Sequence, residues 1–333
     1  MSKAVEAMRW ISAEPGMENL RLERFDPPQP GDGGLLVEVR CAALNFSDLL
    51  MIDDKYQVRP PRPFTPGQEI AGVVVETGAN SVFRAGDRVA GKIEWGGFAT
   101  HALMRADMAI RLPALCSFAE GAALPVSYTT AHVALTECTR IKAGETVLVH
   151  AGAGGVGLAA VQVAAARGAR VIATASSAEK RALAEANGAA HTLDYTQTDW
   201  LAACKEVTNG RGVDVIVDPV GGAVTIDSLR VLAAGGRILI VGFASGEIAS
   251  IPANRLLLKR AAAIGVYWNH DTDAEMLRRV TDAITTDLDR GAIKPLVDRR
   301  DGLTSLPKAL ADLSMRRTAG KVVLDLNTQT SDG

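Results

Sequence analysis

The chain has 333 residues, of which 47% are hydrophobic and 22% charged, with a formal net charge of −2. This length predicts two domains, because a domain commonly holds about 100 to 200 residues, and the hydrophobic content is sufficient for a core in each. Nucleic acids and anionic membranes attract basic surfaces, so the slightly acidic balance argues against both as principal partners and favours small molecules.

The four cysteines are too widely separated to form a C-x-x-C pair. They indicate neither a disulfide framework nor a structural zinc lobe, so we expect a reducing, cytoplasmic location. The first residues, "MSKAVEAMRW", do not have the pattern of a secretory signal. No apolar run reaches the roughly 18 residues that a membrane span requires.

From residue 1 to about 112, short apolar segments alternate with Gly/Pro turns. Examples are "LLVEVRCAAL", "IAGVVVETG" and "DRVAGKI". Many short strands punctuated by turns predict an irregular all-β region. We place the first domain at residues 1–124.

Beyond Pro113 apolar runs alternate with helical patterns, as in "ETVLVHAGAG", "GLAAVQVAAARGA" and "RVIATAS". Continuous apolar strands bounded by helices predict a doubly wound parallel sheet covered on both faces. We place this α/β domain at residues 125–265. The tail, 266–333, contains two helical stretches and a final strand, "GKVVLDL". A lone strand needs a sheet to join, so we expect the tail to complete the first domain.

A glycine loop stands between the first strand and the first helix of the α/β pattern. In "TVLVHAGAGGVGLAAVQ", Gly152, Gly154 and Gly157 have G-x-G-x-x-G spacing, with Gly155 and Val156 between them. The first glycine permits a tight turn, the second close approach to a pyrophosphate, and the third close helix–strand packing. Such a loop also arises for packing alone, but the strand–loop–helix context favours dinucleotide binding.

The end of the next strand predicts which dinucleotide binds. NAD sites carry an acid there, whereas "VIATASSAEKR" offers the hydroxyls of Thr174, Ser176 and Ser177, followed by Lys180 and Arg181. Hydroxyls and a cation accept a 2′-phosphate, which a carboxylate would repel. The alternative is that the basic pair is only the solvated face of a helix. Because the acid is also absent, the pattern favours NADPH.

Several motifs together carry a resemblance that covers essentially the whole chain. They are "NFSDLLMIDDKYQVRPPRPFTPGQEIAGVV", "AALPVSYTTAHVAL", "HAGAGGVGLAAVQVA" and "DPVGG". They resemble the zinc-free quinone oxidoreductase branch of the medium-chain dehydrogenase/reductase superfamily. The resemblance implies an α/β chain with a GroES-like irregular β-barrel catalytic domain and a Rossmann domain.

Zinc-dependent members of that superfamily have a cysteine ligand where this chain has Asn45, and a histidine ligand in a "GHE" motif where it has Gln68. Amide oxygens are poor zinc ligands, so we predict no metal. A zinc ion supplies several kcal/mol of stabilisation to a carbonyl oxygen under reduction. Conjugated carbonyl compounds delocalise that charge themselves, so hydrogen bonds are expected to suffice.

The resemblance also implies individual site residues. Asn45 would face the nicotinamide, with Asp48 beside it, although either residue can simply cap a helix. Tyr56 would donate a hydrogen bond to the substrate oxygen, or else only cover apolar surface. Thr130 would contact the nicotinamide region, or bond to its own backbone.

Further cofactor contacts are expected where other strands of the α/β region end. Tyr195 would lie near the 2′-phosphate, while Gly221, Gly242 and Phe243 follow strands at the sheet edge where doubly wound folds bind ligands. Lys321 is either a cofactor contact or only a charge at the start of a strand. The role of Glu69, beside Gln68, stays open.

We therefore predict an NADPH-dependent oxidoreductase that acts on quinones or other α,β-unsaturated carbonyl compounds. The alternatives are a 2-alkenal or enoyl-thioester reductase, or a non-catalytic NADPH-binding protein with a structural or RNA-interacting role. An apolar edge strand near Ile264–Trp268 predicts a homodimer.

Overall fold

The structure is a computed structural model that describes residues 6–197 and 199–328. The chain divides into two compact units. The first contains the residues up to Val126 and those from Pro295 onward, and the second is Ser127–Lys294. The first boundary lies two residues from the expected one at 124, whereas the second is 294 instead of 265.

The strands, in chain order, are β1 (Met8–Ser12), β2 (Leu20–Arg24), β3 (Gly34–Ala43), β4 (Glu69–Thr77), β5 (Arg88–Lys92), β6 (His101–Arg105), β7 (Ala109–Arg111), β8 (Thr146–Val149), β9 (Arg170–Ala175), β10 (His191–Asp194), β11 (Val213–Asp218), β12 (Leu232–Ile240), β13 (Ala262–Gly265), β14 (Val297–Asp301) and β15 (Lys321–Asp325). The helices are α1 (Phe46–Ile52), α2 (Phe118–Ala122), α3 (Ser127–His132), α4 (Gly155–Ala166), α5 (Ala178–Ala186), α6 (Trp200–Val207), α7 (Gly222–Ser228), α8 (Ala253–Lys259), α9 (Ala274–Asp289) and α10 (Leu306–Ser314).

The first unit is built on a seven-stranded sheet with the order β14-β15-β3-β4-β5-β7, in which β6 also pairs with β3. Apart from the parallel β14–β15 pair, these pairings are antiparallel. The predicted return of the chain is therefore observed, because β15 from the tail pairs with β3. Apolar residues of β3, β4 and α10 form the core, among them Leu35, Ile70 and Leu310.

The second unit has a six-stranded sheet with the order β10-β9-β8-β11-β12-β13, and every pairing in it is parallel. From the central β8, the chain runs outward through β9 and β10, then returns to β11 and runs outward through β12 and β13. The residues of β8 and most of those of β11 are buried, as a sheet covered on both faces requires. The predicted doubly wound sheet is confirmed.

Helix α9 explains why the second unit extends beyond the expected boundary. It buries Leu277, Val280 and Ile284, and its Asp287 forms an ion pair of 2.9 Å with Arg167 of the segment after α4. Farther along, the backbone of Lys294 is bonded to the Gln162 side chain of α4. Residues 266–294 therefore pack with the α/β unit and do not belong to the returning tail.

In the part of the chain that the structure describes, no helix combines the length and the apolar character that crossing a bilayer would demand.

Candidate functional site

Most of the predicted cofactor residues gather at one edge of the sheet in the second unit. They follow the carboxyl ends of β8, β9, β10, β11 and β12, which are neighbours in the sheet. Because these strands are parallel, their carboxyl ends share an edge, and the connection reverses at β8. Ligands of doubly wound sheets bind at such a reversal. The residues concerned are Gly152, Gly154, Gly155, Val156, Gly157, Ser176, Ser177, Tyr195, Gly221, Gly242 and Phe243.

Close packing requires the first and third glycines of the loop after β8. A Cβ on Gly152 would lie 2.7 Å from the Cβ of Ala173, and a Cβ on Gly157 would lie 2.1 Å from the carbonyl oxygen of Ala151. The amide of Gly154 donates a hydrogen bond of 2.9 Å to the carbonyl of Ala151, so Gly152 lies within a tight turn that Ala151, with a φ of 50°, leads into. The absence of a side chain at Gly152 also allows its close contact with β9.

Helix α4 begins directly after this loop, with Gly154 as its N-cap. No acidic side chain lies in its first turn, and no side chain caps it. Gly155 and Val156 are partly exposed there. The amide groups at the start of a helix have no partners within the helix and carry a partial positive charge, so this end suits a phosphate group.

The hydroxyls after β9 differ in how accessible they are. Ser176 is exposed, and Ser177 is the N-cap of α5, where its hydroxyl accepts a hydrogen bond from the amide of Lys180 at 3.3 Å. Thr174 is buried, and its hydroxyl lies 3.1 Å from a ring nitrogen of His150. Only the two serines therefore reach the sheet edge that a ribose phosphate would contact.

Arg181 is already used within the protein, since it forms an ion pair of 2.7 Å with Asp194 at the end of β10. Hydrogen bonds from Thr196, together with the charge of Arg181, hold the pKa of Asp194 below its usual value. Tyr195 follows directly and is half-buried. The Asp194 carboxylate therefore has its own cation, while Lys180 lies one residue earlier on α5.

The loops after β11 and β12 contact each other. A Cβ on Gly221, whose φ is 79°, would lie 2.9 Å from the ring of Phe243, and Gly242 lies against Pro219. The buried carboxylate of Asp218 accepts hydrogen bonds from the amides of residues 220 and 221, which fixes the turn. These contacts fix the two loops against each other.

In the first unit, a buried carboxylate joins four segments. Glu69, at the start of β4, forms an ion pair of 2.5 Å with Lys321 at the start of β15. It also accepts hydrogen bonds from the side-chain amide of Asn45 at 2.8 Å and from the backbone amide of Val126 at 2.5 Å. We call Asn45, Glu69 and Lys321 the Glu69 corner.

The Glu69 corner fixes the orientation of the Asn45 side chain. Its Oδ1 accepts a hydrogen bond of 2.6 Å from the Lys321 ammonium, while its Nδ2 donates to Glu69. Each polar atom of the side chain is thus bonded, and one N–H of Nδ2 remains. Lys321, which the sequence left between two interpretations, is a buried partner of both residues. The sequence signal for the pairing of Glu69 with Lys321 is that each charged residue stands at the start of an apolar strand and the two charges are opposite.

Asp48 lies in the first turn of α1 and is completely buried. Its Oδ2 accepts a hydrogen bond of 2.7 Å from the backbone amide of Asn45, so it caps the helix. Its Oδ1 has no hydrogen-bond partner among the described residues. Burial raises the pKa of Asp48 to about 7, against the opposing effects of the Asn45 amide and the Lys321 ammonium.

The remaining predicted residues belong to separate units. Tyr56 is half-buried in the irregular segment after α1, in the first unit. Thr130 lies on α3 in the second unit, and its hydroxyl accepts a hydrogen bond of 3.1 Å from the indole of Trp268. The hydroxyl of Thr130 can still donate its own hydrogen, so its expected contact with the nicotinamide region stays a prediction.

Within residues 6–197 and 199–328, no group of three or more His, Cys, Asp or Glu side chains is arranged to hold a metal ion. Two histidines of the second unit, His132 and His150, are buried, and burial lowers the pKa of each to about 4. His150 is hydrogen-bonded to Ser228 at 2.7 Å and to Thr174. His150 is thus a core histidine.

Comparisons with known proteins agree on the family. The model of the "Alcohol dehydrogenase GroES-like domain" matches residues 31–114, and that of "Zinc-binding dehydrogenase" matches residues 155–285. The chain is 40% identical to quinone oxidoreductase-like protein 2 of Rattus norvegicus over 92% of this chain and 89% of that protein. It is 32% identical to quinone oxidoreductase of Pongo abelii over 93% and 94% of the two chains. The crystal structure of Escherichia coli quinone oxidoreductase complexed with NADPH is similar, with a TM-score of 0.88, 30% identity and coverage of 96% and 99%.

Proposed function

Because this chain belongs to the quinone oxidoreductase branch of the medium-chain dehydrogenase/reductase superfamily, we propose that it is an NADPH-dependent reductase of quinones or other α,β-unsaturated carbonyl compounds, and that it works without zinc. The observation that carries the proposal is the pair of amides, Asn45 and Gln68, at the positions where zinc-dependent members keep a cysteine and a histidine. Both are engaged with other protein side chains.

The carboxyl edge of the sheet in the second unit fits the cofactor. The absence of side chains at Gly152 and Gly157 lets α4 begin close to β8 and β9, so the free amides at its start are available to a pyrophosphate. Ser176, Ser177 and Lys180 suit a 2′-phosphate, while Arg181 neutralises Asp194. NADPH, when bound, supplies the hydride.

The first unit supplies the polar groups for the substrate. We assign to Tyr56 a hydrogen bond to the carbonyl oxygen, which gains negative charge during reduction and binds a donor more tightly as it does so. Asn45, held by the Glu69 corner, is assigned a contact with the nicotinamide end of the cofactor. Asp48 reaches Asn45 only through the backbone amide, so we assign it a positioning role. The final proton comes from solvent.

The test is a comparison of NADPH and NADH oxidation with a panel of quinones, 2-alkenals and enoyl thioesters, with metal analysis on the same sample. We expect NADPH-dependent turnover of quinones or enones and less than one tenth of an equivalent of zinc, roughly the level of contamination. Turnover restricted to enoyl thioesters would favour the alternative reductase. Absence of turnover with every acceptor would favour a non-catalytic cofactor-binding protein.

Two variants test the residue assignments. Tyr56→Phe and Asn45→Ala should each lower kcat/KM by about tenfold or more, since a lost transition-state hydrogen bond commonly has such an effect. Ser314→Ala is the control, because it removes an exposed hydroxyl at the end of α10, outside the assigned site and the proposed dimer edge. Unchanged kcat/KM in both variants would remove these assignments.

We also propose a homodimer that forms through β13, the last strand of its sheet. Ala262 and Ala263 of this edge strand and Leu257 and Leu258 of the preceding helix, α8, are exposed. An apolar edge strand favours pairing with a second copy. Analytical ultracentrifugation should give twice the chain mass of 35.0 kDa, and a monomer at micromolar concentration would contradict the proposal.

A further inference from the structure

Gln68 is held on a rigid part of the first unit. It follows Gly67, whose φ of 102° and contact with the Phe98 backbone leave no space for a side chain. The carbonyl of Pro66 accepts a hydrogen bond from the amide of Phe98, and the carbonyl of Gln68 accepts one from the amide of Ile93, each at 2.9 Å. The backbone of Gln68 is therefore bonded on both sides of the glycine, and the start of its side chain is fixed.

The end of the side chain is oriented as well. Its Oε1 accepts a hydrogen bond of 2.5 Å from the hydroxyl of Ser47, in the first turn of α1. Ser47 itself is half-buried, and the helix that carries it is capped by the bond between Asn45 and Asp48. Because Ser47 holds the side-chain oxygen of Gln68, the amide nitrogen of Gln68 points away from Ser47.

The amide nitrogen of Gln68 donates to no described residue, and only 4% of the residue is accessible. The nitrogen is not fully enclosed, however, and keeps a small exposed surface. A donor that is largely shielded from water but still reachable can be paired by a ligand oxygen. An oriented, unpaired donor on a rigid backbone is what a site for an electron-rich oxygen requires.

The charges around Gln68 define the kind of acceptor that fits. Lys321 is already paired with Glu69, so the corner presents no unpaired cation for a carboxylate or phosphate. A neutral amide donor matches a neutral carbonyl oxygen that becomes partly negative in the transition state. Gln68 also stands where zinc-dependent members of the superfamily keep the histidine that binds the polarising metal.

We propose that the side-chain amide of Gln68 donates a hydrogen bond to the carbonyl oxygen of the conjugated substrate, and that Ser47 positions it for this. This inference rests on the proposed function. Hydride adds to the conjugated system and brings two electrons, NADPH is oxidised to NADP⁺, and the negative charge that reaches the carbonyl oxygen is held by the Gln68 N–H until a proton from solvent neutralises it. The amide is itself unchanged.

The kinetic test removes the donor while keeping the shape of the side chain. Gln68→Met and Gln68→Glu should each lower kcat/KM for 1,4-benzoquinone by about 10- to 100-fold, in the range for a lost oxyanion donor. NADPH affinity, measured by fluorescence titration, should change less than about twofold, since the lost donor serves the substrate. Ser47→Ala should cause a smaller loss of the same kind.

A series of substituted benzoquinones separates a substrate contact from a structural role. Electron-poor quinones need less help from a donor, so the dependence of log kcat/KM on quinone reduction potential should be steeper in Gln68→Met than in the wild type. The control is Thr65→Val, because Thr65 is buried three residues away and its hydroxyl bonds to no described residue. Equal slopes in the wild type and both Gln68 variants would overturn the proposal.

A second measurement does not depend on turnover. Carbonyl-labelled 1,4-naphthoquinone is bound to the NADP⁺-loaded protein, which has no hydride to donate, and its infrared carbonyl band is recorded. A hydrogen bond from Gln68 should shift the band to lower frequency in the wild type, and the shift should disappear in Gln68→Met but not in Thr65→Val. If the wild type oxidises no NADPH but shows this shift, the proposed function fails and the role of Gln68 stands. A shift that is the same in all three proteins, or is absent from the wild type, overturns the role of Gln68.

Discussion

The carboxyl edge of the sheet in the second unit and the Glu69 corner in the first unit consist of different kinds of groups. At the sheet edge of the second unit, backbone groups and missing side chains make the site, and its central loop is contiguous between Gly152 and Gly157. In the first unit, Asn45, Glu69 and Lys321 come from segments far apart in the chain. A site made of the backbone of one loop can be recognised from the spacing of residues that are close in the sequence. A site made of side chains from distant segments forms only when the tertiary fold brings them together.

The two units also bury different kinds of titratable group. The first unit buries an ion pair together with Asp48, whose pKa is raised to about 7. The second buries His132 and His150, whose pKa values are lowered to about 4. A buried acid with a raised pKa makes folding less favourable as pH rises, and a buried histidine with a lowered pKa makes it more favourable. Asp48 and the two buried histidines should therefore contribute to the pH dependence of stability in opposite directions.

The largest expected effect is that of breaking the ion pair in the Glu69 corner. Lys321→Met leaves the buried Glu69 carboxylate without its cation and Asn45 Oδ1 without a donor. Removal of one partner of a buried ion pair costs about 3 to 5 kcal/mol of unfolding free energy. Urea unfolding followed by tryptophan fluorescence measures this loss.

Two further variants serve as controls for the loss of unfolding free energy in Lys321→Met. Arg24→Met removes an ion pair of 2.6 Å whose side chains are 74% and 52% exposed, and such a surface pair contributes at most about 1 kcal/mol. Lys321→Met combined with Glu69→Gln removes both charges and should recover part of the stability. If Lys321→Met lowers the free energy of unfolding no more than Arg24→Met does, the buried ion pair of the Glu69 corner does not stabilise the fold as proposed.

The same contrast explains what could be predicted from the sequence. The parallel sheet and the glycine loop follow from apolar runs, helical periodicity and glycine spacing, which are local properties. The pairing of Glu69 with Lys321 involves residues separated by most of the chain, so the charges at the starts of their strands mark them as candidates but do not specify that they meet. Gln68 was recognised only as a replaced zinc ligand, because its bond to Ser47 also depends on the tertiary structure.

Two features of the second unit depend on contacts that local patterns do not show. Gly152 lies within the turn after β8, but the crowding that excludes a side chain there comes from Ala173 on the next strand, which a spacing motif does not include. The second domain boundary was placed at 265 because α9 was assigned to the tail. Its apolar face instead covers the second unit, and an amphipathic pattern does not tell which unit it will cover.

The second prediction concerns the pH dependence of stability. Asp48 has an ordinary pKa of 3.8 and a folded pKa of about 7, so between these values the folded protein binds the extra proton. Its contribution to stability is therefore greatest below about pH 4, falls as pH rises to about 7, and is then constant. Asp48→Asn removes this fall, and relative to the wild type it should gain about 2 to 4 kcal/mol between pH 4 and pH 8.

The comparison between variant and wild type cancels the opposite contribution of the buried histidines. Only the change with pH is interpreted, so any fixed cost of the substitution does not matter. Asp289→Asn, at an exposed position at the end of α9, is the control and should give a nearly constant difference. A constant difference for Asp48→Asn as well would mean that the buried carboxyl titrates normally in the folded protein.

The smallest expected effect comes from the backbone site. Gly157→Ala places a Cβ 2.1 Å from the carbonyl oxygen of Ala151, so the start of α4 must move. Overpacking of this kind costs about 1 to 3 kcal/mol, and if it acts on the phosphate-binding amides it raises the Kd for NADPH by about 10- to 100-fold. Fluorescence titration measures Kd, with Gly31→Ala, which has open space around its Cβ, as the control.

A pair of rescue experiments decides whether packing at the loop is the cause. The Cβ of Gly152→Ala would collide with the Cβ of Ala173, so Ala173→Gly should restore NADPH affinity to that variant. Gly157→Ala collides with a backbone oxygen, which no side-chain substitution can remove, so Ala173→Gly should not rescue it. If both double variants recover equally, or if Gly157→Ala binds NADPH as the wild type does, the loop does not act through its close backbone approach. The description of the carboxyl edge of the sheet in the second unit as a site made by the backbone would then be wrong.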